Sequence, residues 1–551
     1  MRKIISVFLS CAMLFSLCVC FATAEDDLKL TVVTDIHYSA SDSTTEITES
    51  TAENPWGYVV SNGKMTAESG AIVDEFLKQA AADDSQYLIV TGDNSDTGAE
   101  ADVAGIVAKL EAFEATSGKT VFALIGNHEN GYKVCMSNDK FKEYYKNLGY
   151  DKALDIDENS CSYTADLNSK YRLIMIDTNN FNQSRIDWIE AQVKKANEDG
   201  KKLISVTHFS IFTHYDIQQL AHDSVVDESW NLADKFIEWG IKFNFSGHTH
   251  ELDTAVYEND NGKVYDISSG ALTTYPACYH TAVFGEKTTD IDTKYITSID
   301  TSLVPGGLQK ECSDLLASDF RAYAKRLFIE GAYNEVSNYI YASRLISMLN
   351  LNAETDAEII TIINNVVPTL REAILMPLYG ENSLSSIAVD YDITIPSSDY
   401  STLLAAAVEI YAAHCAGNEN MPIYNSTVKV TLNGLAAALA YALKDLSAED
   451  YEKVITFALN KLGYADKIPA ELTKYAADAI ARADGIELVL TYAVSPIVED
   501  FSMDAEPDDV KVSLPAYGYS DGVAYTFMAK LIQIFEKILS FFTMIFAIFS
   551  K

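Results

Sequence analysis

The chain has 551 residues, enough for two or three domains, and its apolar content of 48% supports sizeable cores and excludes wholesale disorder. It carries 41 Lys and Arg against 79 Asp and Glu, a strongly acidic balance that repels polyanions at long range. With no basic patch interleaved with aromatics, no nucleic-acid binding is expected.

The chain begins MRKIISVFLSCAMLFSLCVCFATAEDD. Arg2 and Lys3 precede an apolar run that ends in Ala-Thr-Ala before Glu25. This is the build of a secretory signal peptide over residues 1–24 and predicts a secreted, extracellular or cell-surface protein. The residues before Cys18 and Cys20 do not suit a lipoprotein signal. Beyond the leader lie Cys135, Cys161, Cys278, Cys312 and Cys415, scattered and without a C-x-x-C pair. That pattern is neither a disulfide framework nor a zinc ribbon, and it leaves a single bridge open.

From residue 28 to about 300, short β-branched or aromatic runs alternate with helical patterns. LKLTVV, YLIV, VFALI, YRLIMI, KLISV and FNF read as strands. AESGAIVDEFLKQAAAD and DVAGIVAKLEAFEAT read as helices between them. The spacing predicts an α/β domain over residues 25–304 with a largely buried sheet. After His250 the pattern turns to strands with turn signals, as in TAVYENDNGKVYDISSG, YHTAVFGE and KYITSID. These predict a further antiparallel run on the same domain. A polar insert, SASDSTTEITESTAENPWGYVVSNGK, follows the first strand and is suited to a rim or lid, with Trp56 and Tyr58 either stacking on a ligand or packing.

VPGG at 304–307 breaks the pattern. Ala- and Leu-rich segments such as STLLAAAVEIYAAHC and VKVTLNGLAAALAYALKDL then predict an all-helical domain over residues 305–515, with His414 as a core or surface histidine. Residues 516–551 read as a linker and an amphipathic C-terminal helix with a very wide apolar face, LIQIFEKILSFFTMIFAIFSK. It is short for a span and poor in Lys and Arg for an interfacial helix, so membrane contact, self-association and docking on the helical domain all stay open.

Five apolar runs of the α/β region finish in metal-binding residue types. TVVTDIH ends in Asp35 and His37, and YLIVTGDNSD supplies Asp93 and Asp96. VFALIGNHE supplies Asn127 and His128, KLISVTHF supplies His208, and FNFSGHTH supplies His248 and His250. Any one of these is common by chance, and a lone histidine is more often a satisfied core residue. Together they use five of the nine histidines in the chain, each at the carboxyl end of a predicted strand, where α/β sheets bind ligands. His214 reads equally as a pocket residue or a surface cap, and His222 and His280 as structural.

The order D-x-H, G-D-x-x-D, G-N-H-E, H, G-H-x-H resembles the calcineurin-like metallophosphoesterase superfamily over residues 28 to 290. The resemblance implies a four-layer α/β/β/α sandwich with a dinuclear metal centre. Carried over, Asp35, His37, Asp93 and His250 hold one ion and Asp93, Asn127, His208 and His248 the other, with Asp93 bridging. His128 faces the substrate as an acid and Asp96 orients it. His248 and His250 reach different ions by strand-like alternation, with Thr249 pointing away. The implied reaction is hydrolysis of a phosphate mono- or diester by hydroxide held between two divalent or trivalent ions, Mn, Fe or Zn. Purple acid phosphatases carry a Tyr where Asp96 stands, and 5′-nucleotidases continue as GNHEFD where this chain reads GNHENGY. The chain looks closest to the bacterial branch with cyclic-nucleotide and extracellular phosphodiesterases. The contrasting expectation is a non-catalytic surface-associated binding or assembly protein that uses the fold as a scaffold.

Overall fold

A computed structural model describes residues 27–40, 63–215, 218, 224–305, 308–349, 351–418, 420–422, 424–461, 470–481, 498, 502 and 509–518. The expected signal peptide, most of the polar insert with Trp56 and Tyr58, His222 and the C-terminal helix lie outside these residues.

Two sheets form the α/β region. The first contains β1 (Leu28–Val33), β2 (Tyr87–Val90), β3 (Thr120–Ala123), β11 (Cys278–Phe284), β12 (Thr288–Tyr295) and β13 (Lys511–Pro515) in the order β13-β12-β11-β1-β2-β3. The second contains β4 (Asp155–Ile156), β5 (Tyr163–Asp166), β6 (Tyr171–Ile176), β7 (Lys202–Thr207), β8 (Phe243–Ser246), β9 (Asp253–Asn259) and β10 (Gly262–Ser268) in the order β4-β5-β6-β7-β8-β10-β9. The expected antiparallel run after His250 is therefore split. β9 and β10 extend the second sheet, and β11 and β12 extend the first.

The layers follow from the period of two along each strand. On β6, Leu173 and Met175 enter the core between the sheets, whereas Ile174 and Ile176 face outward. The outward set packs on α3 (Gln183–Glu198) through Ile186 and Ile189 and on α4 (Leu232–Trp239) through Phe236. On the first sheet, α1 (Ser69–Ala82) and α2 (Glu100–Ser117) bury Ile72, Phe76, Val103, Ile106 and Leu110. The strands are apolar on both faces because both faces are covered, as the unbroken runs YLIV and YRLIMI predict. The helix order reads α/β/β/α.

Beyond residue 308 the described chain is helical until β13. The longer elements are α5 (Phe320–Tyr339), α6 (Ala357–Leu375), α7 (Leu403–His414) and α8 (Ser426–Leu443). Alanines close-pack α7 and α8, with Ala406, Ala437 and Ala438 in one core. β13 lies within the stretch whose composition reads as helical, and pairs antiparallel with β12 from Thr288↔Pro515 to Asp292↔Lys511. No helix among the described residues is long and apolar enough to cross a membrane.

Candidate metal centre

The five motifs meet beyond the carboxyl ends of the strands. The loops after β1 and β2 run side by side: Asp35 N donates to Gly92 O at 3.1 Å, His37 N to Asp93 O at 2.9 Å and Tyr38 N to Asn94 O at 3.0 Å. Asp35, His37, Asp93, His248 and His250 all have positive φ, between 41° and 73°. Each such non-glycine residue costs about 1–3 kcal/mol, and such strain gathers at functional sites. Two glycines permit the crowding. A Cβ on Gly126 would stand 2.1 Å from Asp93 Oδ1, and one on Gly247 would stand 1.9 Å from Thr34 Oγ1.

Asp35, Asp93 and His208 are each aimed by a hydrogen bond on the far side, the usual support of a metal ligand. Asp35 Oδ2 accepts from Thr34 Oγ1 at 2.6 Å and from His248 N at 2.8 Å. This leaves Oδ1 buried with no hydrogen-bond partner, 3.5 Å from His37 Nε2 and 3.3 Å from His250 Nε2. Asp93 Oδ1 accepts the N–H of His128 at 2.8 Å, and Oδ2 lies 3.3 Å from His208 Nε2 and 3.9 Å from His37 Nε2. His208 turns Nδ1 to Thr91 O at 3.2 Å and Nε2 to Asn127 Oδ1 at 2.9 Å. His248 Nδ1 is also 3.0 Å from Asn127 Oδ1.

These donors fit cations. His37 Nε2 and His250 Nε2 face each other at 3.0 Å, beside the unpartnered Asp35 Oδ1. Ligands about 2.0–2.2 Å from one ion lie roughly 3–3.5 Å apart, so this spacing matches a shared ion. Compact groupings are Asp35, His37 and His250; Asp93, His208 and His248; and His37, Asp93 and His128. The third includes His128 Nε2, which faces the Lys64 ammonium at 3.5 Å.

The family model for calcineurin-like phosphoesterases matches residues 28–252. Those residues are a calcineurin-like phosphoesterase domain. No curated protein gives a significant match to the chain. Among solved structures, a dimetal phosphatase from Danio rerio aligns with a TM-score of 0.37 and 12% identity, covering 49% of this chain and 97% of that one. A candidate 5′-nucleotidase from Staphylococcus aureus, in complex with alpha-ketoglutarate, aligns with a TM-score of 0.31 and 12% identity, covering 47% of this chain and 51% of that one. The match over residues 28–252 supports a phosphoesterase enzyme, and that family binds a dinuclear metal centre.

Two sequence expectations about this site need correction. His248 and His250 fall in separate groupings, but not through strand alternation. β8 ends at Ser246, and both histidines lie in the left-handed region, with φ of 73° and 63°. Thr249 does not point away from the site, since it lines the cavity. Asp96 does orient His128, through its backbone carbonyl 2.5 Å from Nδ1, while its carboxylate pairs with Lys64 at 3.3 Å.

Burial and neighbouring charge set the electrostatics. Burial, helped by the Lys64 cation, pulls His37 down to about 3. Burial also opposes charge on His208, but the Asp93 and Asp35 carboxylates outweigh it and lift the imidazole to about 9. Burial disfavours the Asp93 carboxylate, yet His208, His128 and His37 hold it below the usual range. His128 is lowered by burial, with Lys64 acting in the same direction.

Sequence reasoning missed two residues of the phosphoesterase site. Glu129 ties two motifs together: Oε1 accepts from Ser95 N and Ser95 Oγ at 2.7 Å each, and Oε2 from Gly126 N at 3.1 Å. Its burial and the nearby Asp93 raise it to about 7. The signal was the E of GNHE, quoted in the motif without a role. Lys64 carried no signal, since it closes a polar insert.

A cavity of about 470 Å³ opens on the centre. Its floor includes Asp93, Asn127, His128 and His250, and its far wall is Phe328, Ala332 and Val336 of α5 with Tyr411 of α7. Three other described histidines make contacts of their own. His214 pairs with Asp253 Oδ2 at 3.0 Å and Asp266 Oδ2 at 3.6 Å, and His280 meets Thr293 Oγ1 at 3.1 Å. His414 lies buried, 3.7 Å from Glu251 Oε1. All five described cysteines are free thiols, so the single bridge left open by their spacing does not form.

Proposed function

We propose that this metal-dependent phosphoester hydrolase uses two ions held by the motif residues to cleave an anionic phosphate ester at the cavity floor. Asp35, His37 and His250 hold one ion, Asn127, His208 and His248 the other, and Asp93 serves both. The observation that carries this is the division of labour on Asp93: one carboxylate oxygen is held by His128 N–H, and the other faces His208 at 3.3 Å and His37 at 3.9 Å. When bound, the ions supply Lewis acidity that activates water and offsets charge on the phosphoryl oxygens. Mn, Fe or Zn suits this nitrogen and oxygen donor set.

The chain's own residues do the rest. The Asp96 carbonyl takes the Nδ1–H of His128 and turns Nε2 to the cavity. A proton carried on Nε2 would pass to the leaving oxygen, which gains negative charge as the P–O bond breaks. The wall from α5 and α7 shields the centre from bulk water and faces the alcohol part of the ester. The N-terminal leader and apolar C-terminal stretch support a secreted enzyme held at a surface, testable by cell fractionation.

The deciding experiment is hydrolysis of p-nitrophenyl phosphate and bis(p-nitrophenyl) phosphate by pure protein with added Mn²⁺, Fe²⁺ or Zn²⁺. Turnover that chelation abolishes and metal restores is expected. Folded protein that binds no metal and cleaves neither ester would refute the reading.

A further inference from the structure

Lys64 has no part in the chemistry above, yet its side chain ends inside the centre. It is buried, and its ammonium lies 3.3 Å from Asp96 Oδ1, 3.5 Å from His37 Nδ1 and 3.5 Å from His128 Nε2. It lines the cavity with Asp93 and Asn127. Its backbone is clamped on both sides. Gly63, at φ +68°, lies so close to α5 that a Cβ there would stand 2.5 Å from Phe328 Cα. Met65 N donates to Thr273 O at 2.7 Å. A few residues on, Glu68 is hydrogen-bonded by Tyr323 of α5. The helical region therefore fixes where this cation stands.

A buried Lys–Asp pair is a poor source of stability, because desolvating two ions offsets their attraction. Here the pair borders a cavity meant for an anion, in a protein whose formal charge is −38. A fixed cation offsets that unfavourable field where the substrate must sit. Phosphomonoesters and diesters differ in what they offer it. A monoester dianion has three non-bridging oxygens and two charges, whereas a diester has two such oxygens and one charge.

We propose that Lys64 binds a non-bridging phosphoryl oxygen and makes this enzyme prefer phosphomonoesters to diesters. The proposal rests on the phosphoesterase reading above and names its substrate class. Asp96 holds the ammonium in place, and α5 holds the backbone that carries it.

The test compares wild type with Lys64→Met and Lys64→Gln, all loaded with Mn²⁺. The kcat/KM ratio of p-nitrophenyl phosphate to bis(p-nitrophenyl) phosphate should fall at least tenfold in both variants, as expected for a lost charge-assisted hydrogen bond. By calorimetry, inorganic phosphate should bind at least tenfold more weakly, with metal content and melting temperature close to wild type. The Gln variant keeps a donor for Asp96 and guards against misfolding of the Met variant. Equal losses on both esters, or unchanged phosphate affinity, would make Lys64 a structural partner of Asp96 and overturn the proposal. If wild type cleaved neither ester, the phosphoesterase reading would fall, and the phosphate-binding comparison would still decide the role of Lys64.

Discussion

Asp93 and His128 are joined by a 2.8 Å hydrogen bond from the His128 backbone N–H to Asp93 Oδ1. It fixes the carboxylate so that Oδ2 alone faces both donor groupings, and it seats the acid beside the centre. Replacing Asp93 with Asn leaves the hydrogen-bond acceptor but removes the shared anionic oxygen. Asp93→Asn should lose metal from both positions and at least a thousandfold in turnover, while circular dichroism stays as in wild type. Elemental analysis checks the metal, and a variant with wild-type rate would remove Asp93 from the centre.

His128→Ala should keep both metals, since the ion groupings have their donors without it. Turnover should drop by about 10²–10⁴, the usual worth of a positioned acid. The loss should grow as the leaving alcohol becomes more basic. Rates across a series of aryl and alkyl phosphates measure this, and a uniform loss would argue against proton donation.

His208 must be neutral to bind a cation, yet Asp93 and Asp35 lift it to about 9. Metal binding below that pH therefore displaces a proton. Apparent affinity should rise by up to about tenfold per pH unit from pH 6 towards 9 and level off above. Calorimetric titration in buffers of different ionisation enthalpy should show the proton released.

Gly247→Ala should damage the site without touching a donor. The added methyl would overlap Thr34 Oγ1 and stand 2.5 Å from Asp35 Oδ2, the oxygen that holds His248 N. A cost of about 1–3 kcal/mol is expected from overpacking, with reduced metal content. Chemical denaturation and elemental analysis together test it.

His214, paired with Asp253 and Asp266, is lifted to about 10 by those carboxylates although burial opposes its charge. Because its folded value lies above the ordinary 6.5, the stabilisation is full below pH 6.5 and is lost as pH rises through 10. His214→Gln should therefore destabilise by about 3–5 kcal/mol at pH 6, where it takes the cation from beside two buried carboxylates, and by less above pH 10. Denaturant midpoints at the two pH values check the direction.

Much of this was legible because it is local. Apolar runs such as LKLTVV and YLIV fall on β1 and β2, since strands covered on both faces need unbroken apolar sequence. The donors sit at strand ends, in three motifs directly after a glycine, and residue type plus position was enough to group them. β13 was not legible. KVSLP is short and half exposed, and it becomes a strand only because β12 offers a free edge 219 to 227 residues earlier in the chain.

The sequence by itself determined which side chains could bind cations and that they would close five of the strands, because covalent order and the period of two carry that information. Only the tertiary structure decided how they divide. The left-handed turns at His248 and His250, the single free oxygen of Asp35 and the ammonium of Lys64 depend on loops brought together from distant parts of the chain. A backbone conformation enforced by neighbours, or a charge delivered by a helix more than 250 residues downstream, leaves no mark on the local pattern, since its cause lies in contacts and not in adjacent residues.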